Sequence, residues 1–209
     1  VLFAFSREFY VSLVLLGVMG AAGVGYVISI TVLVQMQVSD EMRGRVMGLF
    51  GMTDFLMPLV LDDLSDEQAR ERSRGEVGPS IAWTVGHLLY YRVHVLNLLS
   101  EESENPYEAS FGKAAATDGS DYPSVAELGE AWLSVGDDFM KVLSSKSEEE
   151  LDFVSEGGAH DERSVRDQIV FFAWHEGYHV GAIGTMRKSL GLLGPAEKVM
   201  ALREADAAK

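Results

Sequence analysis

Two histidines four residues apart, His175 and His179, stand inside an apolar run of helix length from Phe171 to Gly191. On a helix that spacing puts both rings on one face, one turn above the other, so both can reach a single point. A neutral imidazole nitrogen is the commonest side-chain metal ligand, and two from successive turns fill two corners of a coordination sphere without straining the backbone. A third ligand must then come from elsewhere. Glu176 completes the string H-E-G-Y-H at 175–179, which satisfies the H-E-x-x-H pattern of zinc metallopeptidases with the glutamate as general base. The longer metzincin form asks for glycine three and histidine six residues after the second histidine, where this chain has Ala182 and Thr185. Glu197 and Glu204 are the acidic third ligands open to that reading, but no stretch alternates with period two for long enough to supply the strands it expects.

Composition narrows the chemistry. With 209 residues, 47% of them apolar and few prolines, the chain is a folded domain plus an appendage. It has no cysteine, which excludes a thiolate metal site, a cysteine nucleophile and a disulfide scaffold. Any thiol chemistry must use a thiol that arrives with a ligand. The net charge of -15 disfavours nucleic acid and anionic membrane surfaces as partners and leaves a small-molecule substrate as the expectation.

That charge is unevenly placed. Residues 1–51 hold Arg7, Arg43 and Arg45 against Glu8, Asp40 and Glu41, so the whole excess belongs to residues 52–209. From Phe9 to Ser39 no residue is charged, a run of 31, whereas about 20 apolar residues suffice to cross a bilayer. The expectation is a transmembrane-type helix, with Gly17, Ala21 and Gly25 at the spacing that lets a neighbouring membrane helix approach. The stretch from Gly17 to Phe50 resembles a late spanning helix and cytoplasmic loop of a major facilitator superfamily transporter, whose loop is similar to Ser39–Gly48 here except for serine in place of proline. Arg43 and Arg45 would set that end in the cytoplasm. The chain opens on Val1 and carries Met52, so the start is expected upstream and a domain boundary near residue 51, with residues 1–51 a transporter-like fragment or anchor.

The remainder reads as helices. Met52 to about Leu64 forms the first, with Pro58 as a kink or start and Ser65–Gln68 as a capping box that restarts it. Ser80–Leu99 is the second, with Ile81, Val85, Leu88, Arg92, Val95 and Leu99 on one stripe after the breakers Gly78 and Pro79. Residues 100–123 form a long connection. Ser124 and Glu127 cap the third helix, whose seam runs through Val125, Leu128, Trp132, Val135, Phe139 and Val142, and Ser147–Leu151 adds a short turn. The fourth runs from Ser164 to Leu190, with Gly191 as its C-terminal cap and Pro195 beyond. Four such helices make an all-α four-helix bundle.

WTVGHLLYYR at 83–92 and HEGYHVGAIGTMRKSLGL at 175–192 together are similar to the DinB-like (YfiT-like) metalloenzyme superfamily, over residues 52–195. The resemblance implies a DinB-like bundle with His87, His175 and His179 as metal ligands. Ala182 stands where that family usually has glutamine, which removes an amide near the metal. The resemblance further implies zinc or nickel, and a transferase or isomerase that activates a low-molecular-weight thiol such as mycothiol or bacillithiol. Three neutral imidazoles suit such ions and leave a coordination position open.

Other residues carry plainer expectations. His94 and His160 read as structural or solvated, and Trp83, Trp132 and Trp174 as core. Glu148–Glu150 reads as a solvated first helical turn, and Arg187 with Lys188 as cations favoured by a helix C-terminus rather than as a substrate anchor. The leading functional expectation is a metal-dependent enzyme activating a thiol or water, in a cytoplasmic domain that is membrane-associated if residues 9–39 are retained. Its competitors are a non-catalytic metal- or ligand-binding stress-associated bundle, the H-E-x-x-H peptidase, and a membrane-associated module that depends on residues 1–51. Bundles often pair through an exposed apolar stripe, so a homodimer is open, although no stripe in the sequence compels it.

Overall fold

A computed structural model describes residues 10–11, 41–100, 104–112, 119, 121–154 and 164–207. The chain divides into two compact units, Val1–Met42 and Arg43–Lys209, and the second carries everything below. Among the described residues no helix is long and apolar enough to cross a membrane. The apolar run expected as a span lies outside them except for Tyr10 and Val11, as does His160.

Four long helices form the bundle: α1 (Glu41–Leu61), α4 (Ile81–Ser100), α6 (Val125–Ser145) and α8 (Val165–Ser189). Between them lie α2 (Asp66–Arg70), a helical turn α3 (Ser73–Glu76), α5 (Glu108–Phe111) and α7 (Glu148–Leu151), and α9 (Pro195–Ala207) follows. Five of them, α2, α4, α6, α7 and α8, start where a side chain satisfies a free amide of the first turn. Ser65, Ser124 and Ser147 form reciprocal capping boxes with Gln68, Glu127 and Glu150. Ser164 Oγ accepts from Asp167 N at 3.2 Å, and Ser80 Oγ accepts from Trp83 N at 3.1 Å. At the other end of α8, Gly191 takes φ +76°, a left-handed conformation that glycine adopts freely, and lets Leu192 N reach Arg187 O at 2.9 Å.

Two features depart from expectation. The first helix does not begin at Met52: α1 runs unbroken from Glu41, so the expected boundary near residue 51 falls inside it, and Phe50 is a fully buried core residue. Pro195, expected only as a stop, opens α9, because its fixed φ and missing amide suit the first position of a helix. Lys198 fastens α9 to α1, donating to Leu59 O at 2.6 Å and pairing with Asp62 and Asp63.

The apolar seams meet in two core clusters. One gathers Met57 and Val60 of α1, Val85, Leu88 and Leu89 of α4, Leu128 and Trp132 of α6, and Val180 and Ile183 of α8. The other gathers Phe50, Val95, Leu99, Phe139, Leu143, Ile169 and Ala173. On every helix the stretch between the two clusters carries a polar or small residue: Thr53 and Asp54 on α1, Arg92 on α4, Gly136 on α6 and Glu176 on α8. The bundle therefore contains one ionic layer sandwiched between two apolar ones.

Arg187 resolves in the same way. It is fully buried and donates to Val60 O at 2.5 Å and Leu193 O at 2.6 Å while pairing with Asp63 at 2.8 Å. It ties α8 to the end of α1 and to the following loop, a larger structural role than a favourable helix dipole.

Candidate metal centre

His87 stands on α4, one residue after Gly86, whose missing side chain makes room for the ring of Phe111: a Cβ there would come 2.4 Å from it. The close approach of α5 brings Phe111 O to 3.3 Å from His87 Nδ1. A carbonyl can only accept, so Nδ1 carries the proton and Nε2 keeps its lone pair free. The ring is held between Trp83, stacked at a centroid distance of 4.6 Å, and Tyr91, edge-on at 4.8 Å.

Across the groove, α8 presents His175 and His179 on successive turns. Their Nε2 atoms lie 3.0 Å apart, and each ring centroid is 5.3 Å from that of His87. One ring nitrogen from each of the three histidines lies within 4.8 Å of the others. All three residues named from the sequence thus converge, and His94 does not join them; two turns along α4 from His87, it stacks on Tyr90 and meets Phe172 edge-on.

These rings are built to stay neutral. Burial, reinforced by the neighbouring His179 and His87, depresses His175 to about 3, and burial with His87 depresses His179 to about 4. Burial also lowers His87, against the pull of the Phe111 carbonyl. An unfolded histidine titrates near 6.5, so as pH falls below about 6.5 the unfolded chain binds protons that the folded chain refuses. Stability is full above that pH and is lost on acidification toward the folded values. At pH 5 the loss should approach about 2 kcal/mol for each of His175 and His179 before solvent screening reduces it, with His87 acting in the same direction. Urea unfolding of metal-free protein at pH 7 and pH 5 measures it; equal midpoints would show that the three rings are freely protonated in the fold.

Glu176 faces away from this cluster. Its carboxylate is fully buried, accepting from Arg92 Nε at 2.6 Å, Arg92 Nη2 at 2.8 Å and Thr53 Oγ1 at 2.6 Å. Arg92 also pairs with Asp54 at 2.5 Å and lies 3.6 Å above the ring of Trp132. Burial works against the charge of Arg92, and the two carboxylates more than restore it. Gly136 permits this crowding, since a Cβ there would be 2.9 Å from both Arg92 Nη1 and Asp54 Oδ1. With both oxygens of Glu176 bonded inside this layer, the peptidase role of general base is overturned: the side chain points into the core, to Arg92 and Thr53, and away from the three histidines. Glu197, one of the acidic ligands that reading offered, pairs instead with Lys188 at 2.5 Å.

The sequence reading missed the carbonyl of Phe111, the ring of Tyr91 and the ionic layer as supports of the site. It also misplaced Trp174, which is 58% exposed rather than core. With Phe171 and Tyr178 it forms an exposed aromatic flank beside the histidines on α8, Trp174 stacking on Tyr178 at 5.8 Å. Trp83 and Trp132 are buried as expected.

The family model of the DinB superfamily matches residues 56–183, which run from the last residues of α1 into α8 and include all three histidines. The chain belongs to the DinB superfamily. Among solved structures this DinB-superfamily chain is similar to YfiT from Bacillus subtilis, described as "a probable metal-dependent hydrolase with an unusual four-helix bundle topology". The two superpose with a TM-score of 0.57 at 13% identity, over 75% of this chain and 91% of the YfiT chain. At that identity the likeness speaks for the fold. No curated protein matches. The family match starts at residue 56, and the transporter-like resemblance of the N-terminal stretch draws no support from either comparison.

A divalent ion fits the residues present. Two nitrogens each about 2.1 Å from one ion would stand about 3.0–3.4 Å apart for angles from octahedral to tetrahedral, and His175 Nε2 lies 3.0 Å from His179 Nε2. The rings are neutral, as ligands must be, and the outer nitrogen of His87 is already fixed by a carbonyl.

Proposed function

We propose that this protein is a divalent-metal-dependent enzyme in which His87, His175 and His179 hold a zinc or nickel ion and the substrate is a small molecule. The observation that carries this reading is the convergence of three neutral imidazole nitrogens from two helices within 4.8 Å. A bound ion would supply Lewis acidity, lowering the pKa of a thiol or water that approaches it. The chain's own part is to hold the three rings neutral and oriented: Phe111 O fixes one tautomer, Tyr91 and Trp83 wedge the rings, and the Arg92–Glu176 layer sets the spacing of α4 and α8. A transfer or isomerisation with a low-molecular-weight thiol as nucleophile rests on the family resemblance of the sequence alone, whereas the description of YfiT as a probable metal-dependent hydrolase supports water in its place. A chain without cysteine suits either, since the nucleophile comes with a ligand or from solvent.

Elemental analysis of the purified chain tests the reading: one divalent ion per chain is expected, with turnover of thiol-acceptor or ester substrates that depends on it. Metal bound without turnover of either class would favour the non-catalytic binding bundle. The transporter-like stretch enters as a membrane-associated fragment, and expression of residues 52–209 alone, which cuts α1, reports whether the bundle needs it.

A further inference from the structure

A cavity of about 800 Å³ lies away from the histidines and is lined by Arg70, Glu71, Arg72, Ser73, Arg74 and Ser189, with Gly75. Ser189 follows His179 by ten residues on α8, which puts the cavity about 15 Å along that helix from the histidines. Its volume is in the range of small-molecule sites.

The arginines around it differ from the chain's other half-buried or buried ones. Arg92, Arg166 and Arg187 each meet a carboxylate: Glu176 and Asp54, Glu148 and Asp152, and Asp63. Arg70 and Arg72, both half-buried, meet only backbone carbonyls. Arg70 Nη2 donates to Tyr122 O at 2.6 Å, and its Nε is buried with no partner. Arg72 donates from Nε to Gly78 O at 3.0 Å and from Nη2 to Val77 O at 3.3 Å. Among the described residues no ion pair joins either to a carboxylate, although Glu71 lines the same cavity and Glu127 is near enough to feel the charge of Arg70. A half-buried guanidinium with no carboxylate bonded to it leaves donors free for an anion from outside.

The backbone is consistent with that use. Arg74 sits at φ 55°, ψ 45°, the one described non-glycine residue in the left-handed region, and Gly75 follows at φ 63°, ψ 48°. The conformation disfavours a residue with a Cβ, yet arginine occupies it and is exposed at the cavity with no bonded partner among the described residues.

We infer that this cavity is a binding site for the oxyanion group of a small molecule, a phosphate ester or a polycarboxylate. Arg70 and Arg72 are held rigid by the carbonyls and Arg74 closes on the anion. Guanidinium groups match both oxyanions in a bidentate manner, and the fixed forks lose little freedom on binding. A chain of net charge -15 repels anions elsewhere, so the nonspecific background is low.

The test is the melting temperature of the full chain in inorganic phosphate and, separately, in succinate, each against chloride at equal ionic strength and with or without EDTA. Phosphate, succinate or both should raise Tm by several degrees with EDTA present, the larger shift naming the anion class. Arg74→Gly relieves the left-handed strain, so it should leave Tm in chloride unchanged or higher while weakening the anion about tenfold. Arg70→Gln should weaken it as well. No anion-dependent shift, a shift lost with EDTA, or equal affinity in both variants would overturn the proposal.

Discussion

Arg92→Met should lower the unfolding free energy by about 3–5 kcal/mol, among the largest effects of any single replacement in the bundle. Arg92 is 2% exposed and Glu176 is 2% exposed, so removing the guanidinium strands a carboxylate in the core with only Thr53 to bond it. It also uncovers the face of Trp132 and leaves a hole beside Gly136. For a chain of this size the loss corresponds to a fall in Tm of about 10 °C. The double variant Arg92→Met with Glu176→Met removes both fully buried charges, and much of the stability should return because the one partner left behind, Asp54, is partly exposed to solvent. Urea unfolding of the wild type and the three variants measures the cycle. If the double variant is as unstable as the two single losses added together, the layer is not a coupled pair, and its account as the element spacing α4 and α8 is lost.

His87→Ala, His175→Ala and His179→Ala should each weaken zinc or nickel binding by more than about 100-fold, since even the loss of a supporting contact to a ligand costs about 10–100-fold. His94→Ala supplies the control. Its ring lies beside Tyr90 and Phe172 rather than with the three nitrogens, so it should still bind one ion. The fold should survive each replacement, because the three rings are neutral and the His175 Nδ1 atom makes no hydrogen bond to lose. Far-ultraviolet circular dichroism beside elemental analysis separates lost ligands from lost structure. Retention of the ion in His87→Ala would refute the three-histidine centre and leave a two-histidine site on α8.

Much of this was legible along the chain. The serine caps at 65, 124, 147 and 164, the seams of α4 and α6 and the stop at Gly191 are local features, in which a side chain meets its own helix within four residues. The i, i+4 pair His175 and His179 is local in the same sense. Arg92 was visible as a cation on an apolar stripe and Glu176 as an anion in an apolar helix, a signal that the two need each other; its weakness is that 84 residues separate them. The H-E-x-x-H string left the role of Glu176 open, because whether that side of α8 meets a site or the buried Arg92 and Thr53 is decided by the helices packed against it.

The sequence by itself determined the helices, their caps and the face that carries two of the three histidines, because hydrogen bonding and periodicity within one helix depend on near neighbours. Only the tertiary structure decided that His87 meets them with its tautomer set by Phe111, that Glu176 belongs to the core and Trp174 to the surface, and that Arg70 and Arg72 bond to backbone carbonyls rather than to carboxylates. Each of those depends on how helices far apart in the chain pack together, and burial and pairing are properties of that packing rather than of any residue's own segment.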